Sequence, residues 1–413
     1  DLLAADLLLG HRAAPWELWS EHTQLLKYGL DFAAANVESP DCALGLKFTN
    51  VALLATLGFA RGEDKPTPSA IRAAIARAGR GELRAMWNEL VQRATASAAA
   101  ARSKPSTPSA AATAASSIPE GVAGIQATLQ EKADAGCLQS ERTLRRLLFH
   151  LNNGNLAKAA AAPGKSPLLP SGAPQTNEDL AGLHPQRPRP TVPAYPEAGA
   201  IGTDEGVFDE VFSEAAQGRA HGVSPLLFET LRAVHQHGGR DTLLTLTRAI
   251  NDGTIHRAAA AWLGATRVVA LEKPDGSARP IAIGDALRRL ANKCICVEES
   301  AAISAYLTRT LGDGVNTPLQ LGVCVKGGVD VAALTLNLLT EGDPRSAVFL
   351  NDLSNGFNTL DRNAIFKGLE AAGLEHLTPA VLLWYEEEGA LYAGGERLRR
   401  PLAVGFGNTA EEQ

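Results

Sequence analysis

Apolar residues recur at helical spacing through most of the first 94 residues. The clearest run follows Thr67-Pro68-Ser69, and its apolar positions are Ile71, Ile75, Leu83, Trp87, Leu90 and Val91. Spacing of three or four residues predicts an amphipathic helix with one buried face. Gly79 and Gly81 are expected to divide this helix in two. We therefore predict a helical region over residues 1–94.

The periodic pattern is interrupted twice before residue 205. Residues 95–120 are mostly Ala, Ser, Thr and Pro with few large apolar side chains, a composition that cannot offset the entropy of ordering, so we predict a linker. Residues 121–160 predict a short helical segment. Residues 161–204 predict a Pro-rich linker, extended because proline fixes φ and removes a backbone donor.

Regular structure is predicted to be denser over residues 205–413. Two short apolar runs, 266–271 and 279–283, flank the turn residues Pro274-Asp275-Gly276 and predict a β-hairpin. A buried strand is predicted over 347–350, and a second hairpin turns at 393–396. The predicted helices are 209–216, 225–237, 241–251, 285–303, 330–339, 362–372 and 379–387. The fold class predicted is α+β, mainly helical in the N-terminal half.

Composition narrows the class of protein. The 413 residues are 45% apolar and 20% charged, as in a soluble globular protein. No apolar run reaches the roughly 18–20 residues that cross a bilayer, and no basic leader precedes the first residues. We expect no membrane association and an intracellular location, in the nucleus or cytoplasm. Because the first residue is Asp1 and the one methionine is Met86, we also expect part of a longer reading frame.

Overall charge and cysteine content give little direction to function. The net charge is −6, which does not favour a broadly basic nucleic-acid surface, although residues 272–293 have a small positive excess. The five cysteines are scattered. The pair Cys294-x-Cys296 has no second pair at zinc-finger spacing, so buried thiols are the better interpretation.

The predicted 266–283 hairpin is the first group of residues that could carry chemistry. It has Lys273 on one arm and Arg279 on the other. Lys offers a point charge and Arg a planar fork, and together they can lean over a triphosphate. Taken alone, such a turn is more often an ordinary charged surface.

The predicted 347–350 strand is the second group, because it delivers Asp352 at its end. A carboxylate at a strand end, followed by a turn into a helix, can hold a hard cation such as Mg²⁺, which prefers oxygen ligands. An aromatic residue, Phe357, follows five positions later. Alone, Asp352 is more often a strand-end cap and Phe357 a core residue.

Taken in order, these motifs resemble the reverse transcriptase domain of non-LTR retrotransposons. Residues 271–281 are similar to the family's Leu-x-Lys-x-x-Gly-x-x-Arg-Pro-Ile, and residues 352–362 to its Asp-Phe-x-Asn-Ala-Phe-Asn-x-x-Asp-Arg. Shorter similarities lie at 217–224 and 284–290. The resemblance covers about residues 205–413, roughly half the chain. It implies the fingers and an incomplete palm of a polymerase.

The resemblance also implies roles for individual residues in copying an RNA template onto a DNA primer from dNTPs. Asp352 would be the catalytic carboxylate that holds Mg²⁺, and Leu353 would offer a backbone carbonyl. Phe357 would exclude a ribose 2′-hydroxyl. Lys273 and Arg279 would neutralise the triphosphate.

The sequence departs from the family in its last part. Residues 405–411 occupy the place of the family's Gly-x-x-Gln-Gly-Asp-Pro segment and lack the Gln and the Asp-Pro. No aromatic-x-Asp-Asp motif occurs in the chain, so Asp352 has no partner aspartates. The expectation is therefore a reverse transcriptase fragment that is inactive by itself.

Two other interpretations remain open. One is a noncatalytic module that binds RNA or a protein partner through the basic hairpin or the N-terminal helices. The other is an unrelated enzyme that uses Glu386-Glu387-Glu388 as acids, although a charged triplet near a helix end is more typical of a solvated face.

Overall fold

A computed structural model describes ten stretches of the chain: residues 9–11, 19–60, 66–103, 168–170, 172–191, 201–215, 220–311, 321–323, 325–342 and 355–400. Positions 64, 345, 347 and 348 are described singly. These residues divide between two compact units. The larger unit comprises those within 1–101, 170–269 and 280–413, and the smaller unit those within 102–169 and 270–279.

The fold is α+β, as the sequence predicts. The helices of the described residues are α1 Trp19–Ala35, α2 Asp41–Leu57, α3 Pro68–Gly79, α4 Leu83–Ser103, α5 Pro174–Gly182, α6 Glu205–Glu214, α7 Phe228–Val234, α8 Arg240–Asn251, α9 Arg257–Gly264, α10 Ala286–Glu298, α11 Ser300–Leu311, α12 Gly328–Gly342, α13 Gly356–Thr359, α14 Arg362–Ala372 and α15 Thr378–Tyr385. A kink at His235–Gly239, where Gly238 has a φ of 83°, joins α7 to α8, and a 3₁₀ turn, Glu375–Leu377, precedes α15.

The strands form two small sheets. They are β1 Leu9–His11, β2 Gly58–Ala60, β3 Thr266–Glu272, β4 Ala278–Ile283, β5 Leu391–Ala393 and β6 Glu396–Arg397. β1 and β2 pair antiparallel, and the other four strands form one sheet in the order β4-β3-β5-β6. β3 and β5 are parallel, and β5 and β6 are antiparallel. Both hairpins that the sequence predicts in this part of the chain are confirmed.

Helix ends follow the local capping signals. Asp361 caps α14, since its Oδ1 accepts the N–H of Asn363 at 3.0 Å. The helix ends at Gly373 with φ +70°, a left-handed value that glycine adopts readily.

The prediction of a single helix over 285–303 is wrong, because the described chain has two helices there, α10 and α11, separated at Glu299.

The buried strand predicted over 347–350 is wrong where the structure describes it. Ala347 and Val348 lie outside any strand, and Val348 is 43% exposed. A strand needs a paired neighbour as well as apolar side chains, and the four strands of the larger sheet pair with one another. The remaining predicted strand residues lie outside the described residues.

The two segments predicted as linkers contain helix. α4 continues to Ser103, beyond the start of the predicted 95–120 linker, because alanine favours helix once a helix has begun. Within the Pro-rich segment predicted over 161–204, Pro174 occupies the first turn of α5, where a missing N–H costs nothing. The segment predicted as helical over 121–160 lies outside the described residues.

The N-terminal helices and the later helices of the larger unit share one hydrophobic core. Leu30 of α1 and Leu46 of α2 belong to the same cluster of buried side chains as Phe208, Leu243 and Leu290. Polar contacts join the same parts: the N–H of His256 donates to the carbonyl of Val37 at 2.6 Å. Residues 19–57 are therefore part of the core on which the later helices rest.

The crossing of α1 and α2 depends on glycine. A Cβ added at Gly45 would lie 2.6 Å from the carbonyl oxygen of Gly29 and 2.7 Å from the backbone nitrogen of Ala33. Both neighbours are backbone atoms, which cannot move aside as a flexible side chain can. Gly45 therefore sets the close approach of the two helices.

Gly45→Ala is expected to lower the free energy of unfolding by about 1–3 kcal/mol, because the added methyl group overpacks this crossing. Chemical denaturation measures the change. Gly79→Ala is the matched control: nothing lies within 4 Å of its added Cβ, so a gain of up to about 1 kcal/mol is expected from helix propensity. Equal effects of the two substitutions would contradict the tight crossing.

A buried histidine lies on the same pair of helices. The Oγ1–H of Thr56 donates to the carbonyl of Ala52 at 2.7 Å, so this oxygen accepts from Nε2 of His22 at 3.0 Å. Burial lowers the pKa of His22 from its ordinary value of 6.5 to about 4. The neutral ring with the proton on Nε2 is the form that the fold holds.

The stability of the protein is expected to depend on His22 between pH 6.5 and 4. The folded state binds fewer protons than the unfolded state in this window, so the contribution is complete above pH 6.5 and is lost as the pH falls. The loss reaches about 3 kcal/mol at pH 4. Urea unfolding of wild type and His22→Gln at pH 7 and pH 4 measures it. A difference between the two proteins that does not change with pH would contradict the prediction.

No helix of the described residues is both long enough and apolar enough to cross a membrane.

Candidate functional site

The hairpin of β3 and β4 positions Lys273 and Arg279 at its two shoulders. The N–H of Lys273 donates to the carbonyl of Ser277 at 2.8 Å, and the N–H of Gly276 donates to the carbonyl of Lys273 at 2.9 Å. Gly276 has a φ of +80°, a value that strains other residues. These hydrogen bonds close the turn and place Lys273 and Arg279 on either side of it.

Asp275 makes the turn rigid. Its Oδ1 accepts the Oγ–H of Ser277 at 2.7 Å and the N–H of the same residue at 2.9 Å. These hydrogen bonds lower the pKa of the Asp275 carboxyl below its ordinary value. The carboxylate is therefore engaged within the turn, which is a local arrangement typical of Asp.

Neither cation of the hairpin forms an ion pair with a described residue, although the positive charge of Lys273 also helps to lower the pKa of Asp275. Lys273 is half-buried and Arg279 is exposed. Outside the turn, Leu168 forms a β-bridge with Leu271, and the N–H of Leu169 donates to the carbonyl of Ala270 at 3.0 Å. These contacts support the β3 strand of the hairpin. They leave the Lys273 ammonium and the Arg279 guanidinium free of ion pairs with described residues.

The other predicted site residues are only partly described. Asp352 and Leu353 lie outside the described residues, so the structure does not test their roles. Phe357 belongs to α13, but its side chain is not described. Asn355 precedes α13 with a φ of 53°, which Asn tolerates better than most residues, and its Nδ2 donates to the carbonyl of Leu183 at 2.8 Å.

A polar junction beside the buried Asp285 anchors the segment around residues 220–224 within the larger unit. Arg267 of β3 donates to the carbonyl of His221 at 2.7 Å, and Arg289 of α10 donates to the carbonyl of Ala220 at 3.1 Å. Asp285, which is 2% exposed, caps α10 by accepting the N–H of Leu287 at 2.8 Å. Burial raises the pKa of the Asp285 carboxyl. The segment at residues 220–224 is therefore held by side chains of β3 and α10.

A cluster of arginines and glutamates joins α14, the segment around Arg187 and the residues that follow β6 within the larger unit. Glu388 accepts Arg362 at 2.6 Å, Arg400 at 2.5 Å and the backbone N–H of Arg187 at 2.7 Å. Its side chain is 23% exposed, and those of the two paired arginines are 13% and 12% exposed. The triad is therefore largely withdrawn from water.

The first glutamate of the triplet is engaged in the same way. Glu386 forms ion pairs with Arg189 and, at 2.6 Å, with Arg257. The prediction that this triplet forms a solvated face is therefore wrong for Glu386 and Glu388. Glu387 is exposed, as the prediction requires.

Sequence reasoning missed this cluster for a definable reason. The charges are visible as Glu386-Glu387-Glu388, Arg399-Arg400 and Arg187-Pro188-Arg189, but their pairing is not. The partners are separated by as many as 201 residues, as between Arg187 and Glu388. Complementary charge was the one signal available, and it does not identify partners.

The described residues provide no metal centre. No group of three or more His, Cys, Asp or Glu side chains among them could hold a metal ion. Comparison of the chain with protein-family models finds no match, and comparison with curated proteins also finds none.

Glu388→Gln is expected to lower the free energy of unfolding by about 3 kcal/mol, because it leaves the largely buried Arg362 and Arg400 without a counter-charge. Glu387→Gln is the matched control on the neighbouring exposed residue, with an expected change within about 0.5 kcal/mol. Urea denaturation at neutral pH measures both variants. A loss in the control as large as that in Glu388→Gln would contradict the role of the triad.

Proposed function

We propose that residues 205–400 are part of an RNA-directed DNA polymerase of the non-LTR retrotransposon type, comprising fingers and part of a palm. The observation that carries the proposal is the hairpin, in which Lys273 and Arg279 flank the Asp275-Gly276 turn and form no ion pair with a described residue. The ordered sequence motifs at 271–281 and 352–362 support the same interpretation.

Each residue of the hairpin has a distinct part in this proposal. The Lys273 ammonium attracts the triphosphate of a dNTP as a point charge, and the Arg279 guanidinium donates two parallel hydrogen bonds to phosphate oxygens. Phe357 is proposed to exclude a ribose 2′-hydroxyl. Asp275 stays hydrogen-bonded to Ser277 within the turn, and its charge also interacts with that of Lys273.

The metal part of the proposal rests on residues beyond the described ones. Asp352 and the Leu353 carbonyl would hold Mg²⁺, which would neutralise charge on the triphosphate. The described residues do not provide a group of ligands that fits this ion. The activity proposed for the described hairpin is therefore nucleotide binding, with no chemical step assigned to the metal.

The 413-residue chain is expected to bind dNTP without extending a primer. The sequence contains no Asp-Asp pair, and residues 405–411 lack the family's Gln and Asp-Pro. Asp352 would then be a single carboxylate where the family uses three aspartates.

Nucleotide binding by the hairpin can be measured by the fluorescence anisotropy of a labelled dATP. Lys273→Ala and Arg279→Ala are each expected to weaken binding about tenfold, since each removes a charge-assisted contact worth roughly 1.4 kcal/mol. Arg72→Ala, at an exposed position of α3, is the control and is expected to leave affinity unchanged. Absence of dNTP binding by the wild-type chain would contradict the proposal.

A primer-extension assay with an RNA template and Mg²⁺ tests the expected lack of synthesis. Robust incorporation by the 413-residue chain would overturn that part of the proposal. A noncatalytic RNA-binding module is the second candidate, favoured by Arg397 of β6 and the nearby Arg399, which are exposed and form no ion pair with a described residue. Salt-sensitive RNA binding without any dNTP binding would support this candidate instead.

A further inference from the structure

A groove lies between α5 and the segment that ends the described chain, entirely within the larger unit. Its volume is about 710 Å³. One wall combines the small residues Gly172, Ala181 and Gly182 with Pro174, Asn177 and Glu178. The other wall is β6 together with the three residues that follow it, Leu398 to Arg400.

The register of β5 and β6 determines what this edge presents to the groove. Tyr392 pairs with Arg397, and the N–H of Leu398 donates to the carbonyl of Leu391 at 2.9 Å. In an antiparallel pair, hydrogen-bonded and non-hydrogen-bonded positions alternate. The backbone N–H group of Arg397, the last residue of β6, therefore points away from β5, toward the free edge.

The side chains of the same two residues are exposed and uncommitted. Leu398 is 7% exposed, whereas Arg397 and Arg399 on either side of it are exposed and form no ion pair with a described residue. In extended chain, residues two apart are separated by about 6.8 Å. Two guanidinium groups at this spacing can each donate bidentate hydrogen bonds to neighbouring phosphates of one strand.

The remaining charged groups of the groove are partly engaged elsewhere. Arg400 is paired with Glu388, and one of its Nη atoms also donates to the carbonyl of Gly389 at 2.9 Å. Glu396 accepts a long hydrogen bond from Asn177 at 3.4 Å. Glu178 also lines the groove, so the groove as a whole is not strongly positive. Any attraction for phosphate must therefore come from the guanidinium groups of Arg397 and Arg399.

We infer that this groove binds the phosphate backbone of single-stranded RNA through Arg397 and Arg399. The inference deepens the proposed function, on which it rests for the choice of RNA. A peptide added to the sheet edge would require side-chain pockets, whereas Leu398 is the one large apolar residue that lines the groove among the described residues.

Fluorescence anisotropy of a labelled 12-nucleotide single-stranded RNA, measured on the full chain without dNTP, tests the inference. Arg397→Gln with Arg399→Gln is expected to weaken binding at least about tenfold and to reduce the salt slope by about 1.4, for two phosphate contacts. Arg72→Gln with Arg84→Gln removes the same charge from α3 and α4, where both residues are exposed. This control pair is expected to change affinity less than about twofold.

Several outcomes would overturn the inference. They are no RNA binding by the wild type, an equal loss in both double variants, or a groove variant that loses an acidic peptide but keeps RNA. Unchanged thermal melting of both double variants establishes that the fold is retained. Photo-crosslinking of 4-thiouridine RNA is expected to label residues 172–182 and 396–400, and labelling confined to other peptides would also overturn it.

The same measurements separate this inference from the proposed function. The groove variant is expected to keep the dNTP affinity of the wild type, and Lys273→Ala is expected to keep its RNA affinity. If dNTP binding is retained and RNA binding does not depend on Arg397 and Arg399, only the inference about the groove is contradicted. Absence of dNTP binding with groove-dependent RNA binding would defeat only the polymerase proposal.

Discussion

The larger unit depends on the burial of two N-terminal helices against the helices that follow residue 205. The close approach of α1 and α2 at Gly45 lets Leu30 and Leu46 enter the same core as Leu243 and Leu290. Burial of apolar surface is the dominant favourable contribution to folding. Because α10 packs in this core, the cap at Asp285 and the anchored segment before it are fixed by the same burial.

Polar clamps then determine where the less apolar segments lie. A carboxylate withdrawn from water is tolerated when it is paired and fully hydrogen-bonded, and Glu388 meets both conditions with two arginines and a backbone N–H. These contacts hold the Pro-rich segment around Arg187 against Glu388 and the residues that follow β6. A segment with few large apolar side chains is thus held in place by directional bonds as well as by the burial of Leu180 and Ala181.

The cations of the protein fall into two groups with different consequences. Arg362 and Arg400 are largely buried and engaged with Glu388, so their charge serves the fold. Lys273, Arg279, Arg397 and Arg399 form no ion pair with a described residue. Uncommitted cations are the ones that can contact phosphate, which is why the hairpin and the groove, rather than the glutamate triplet, are the candidate binding surfaces.

Local pattern in the sequence determined the elements whose signals are contained within a few residues. The 266–283 hairpin followed from a Pro-Asp-Gly turn between apolar runs, and α14 from the cap at Asp361. Tertiary structure decided everything that requires a distant partner. The 347–350 run is apolar enough for a strand, yet Val348 is exposed and unpaired in a sheet; α5 formed within a proline-rich segment; and Glu386 and Glu388 found arginines far along the chain. Pairing energy depends on which surfaces meet in space, and sequence spacing does not contain that information.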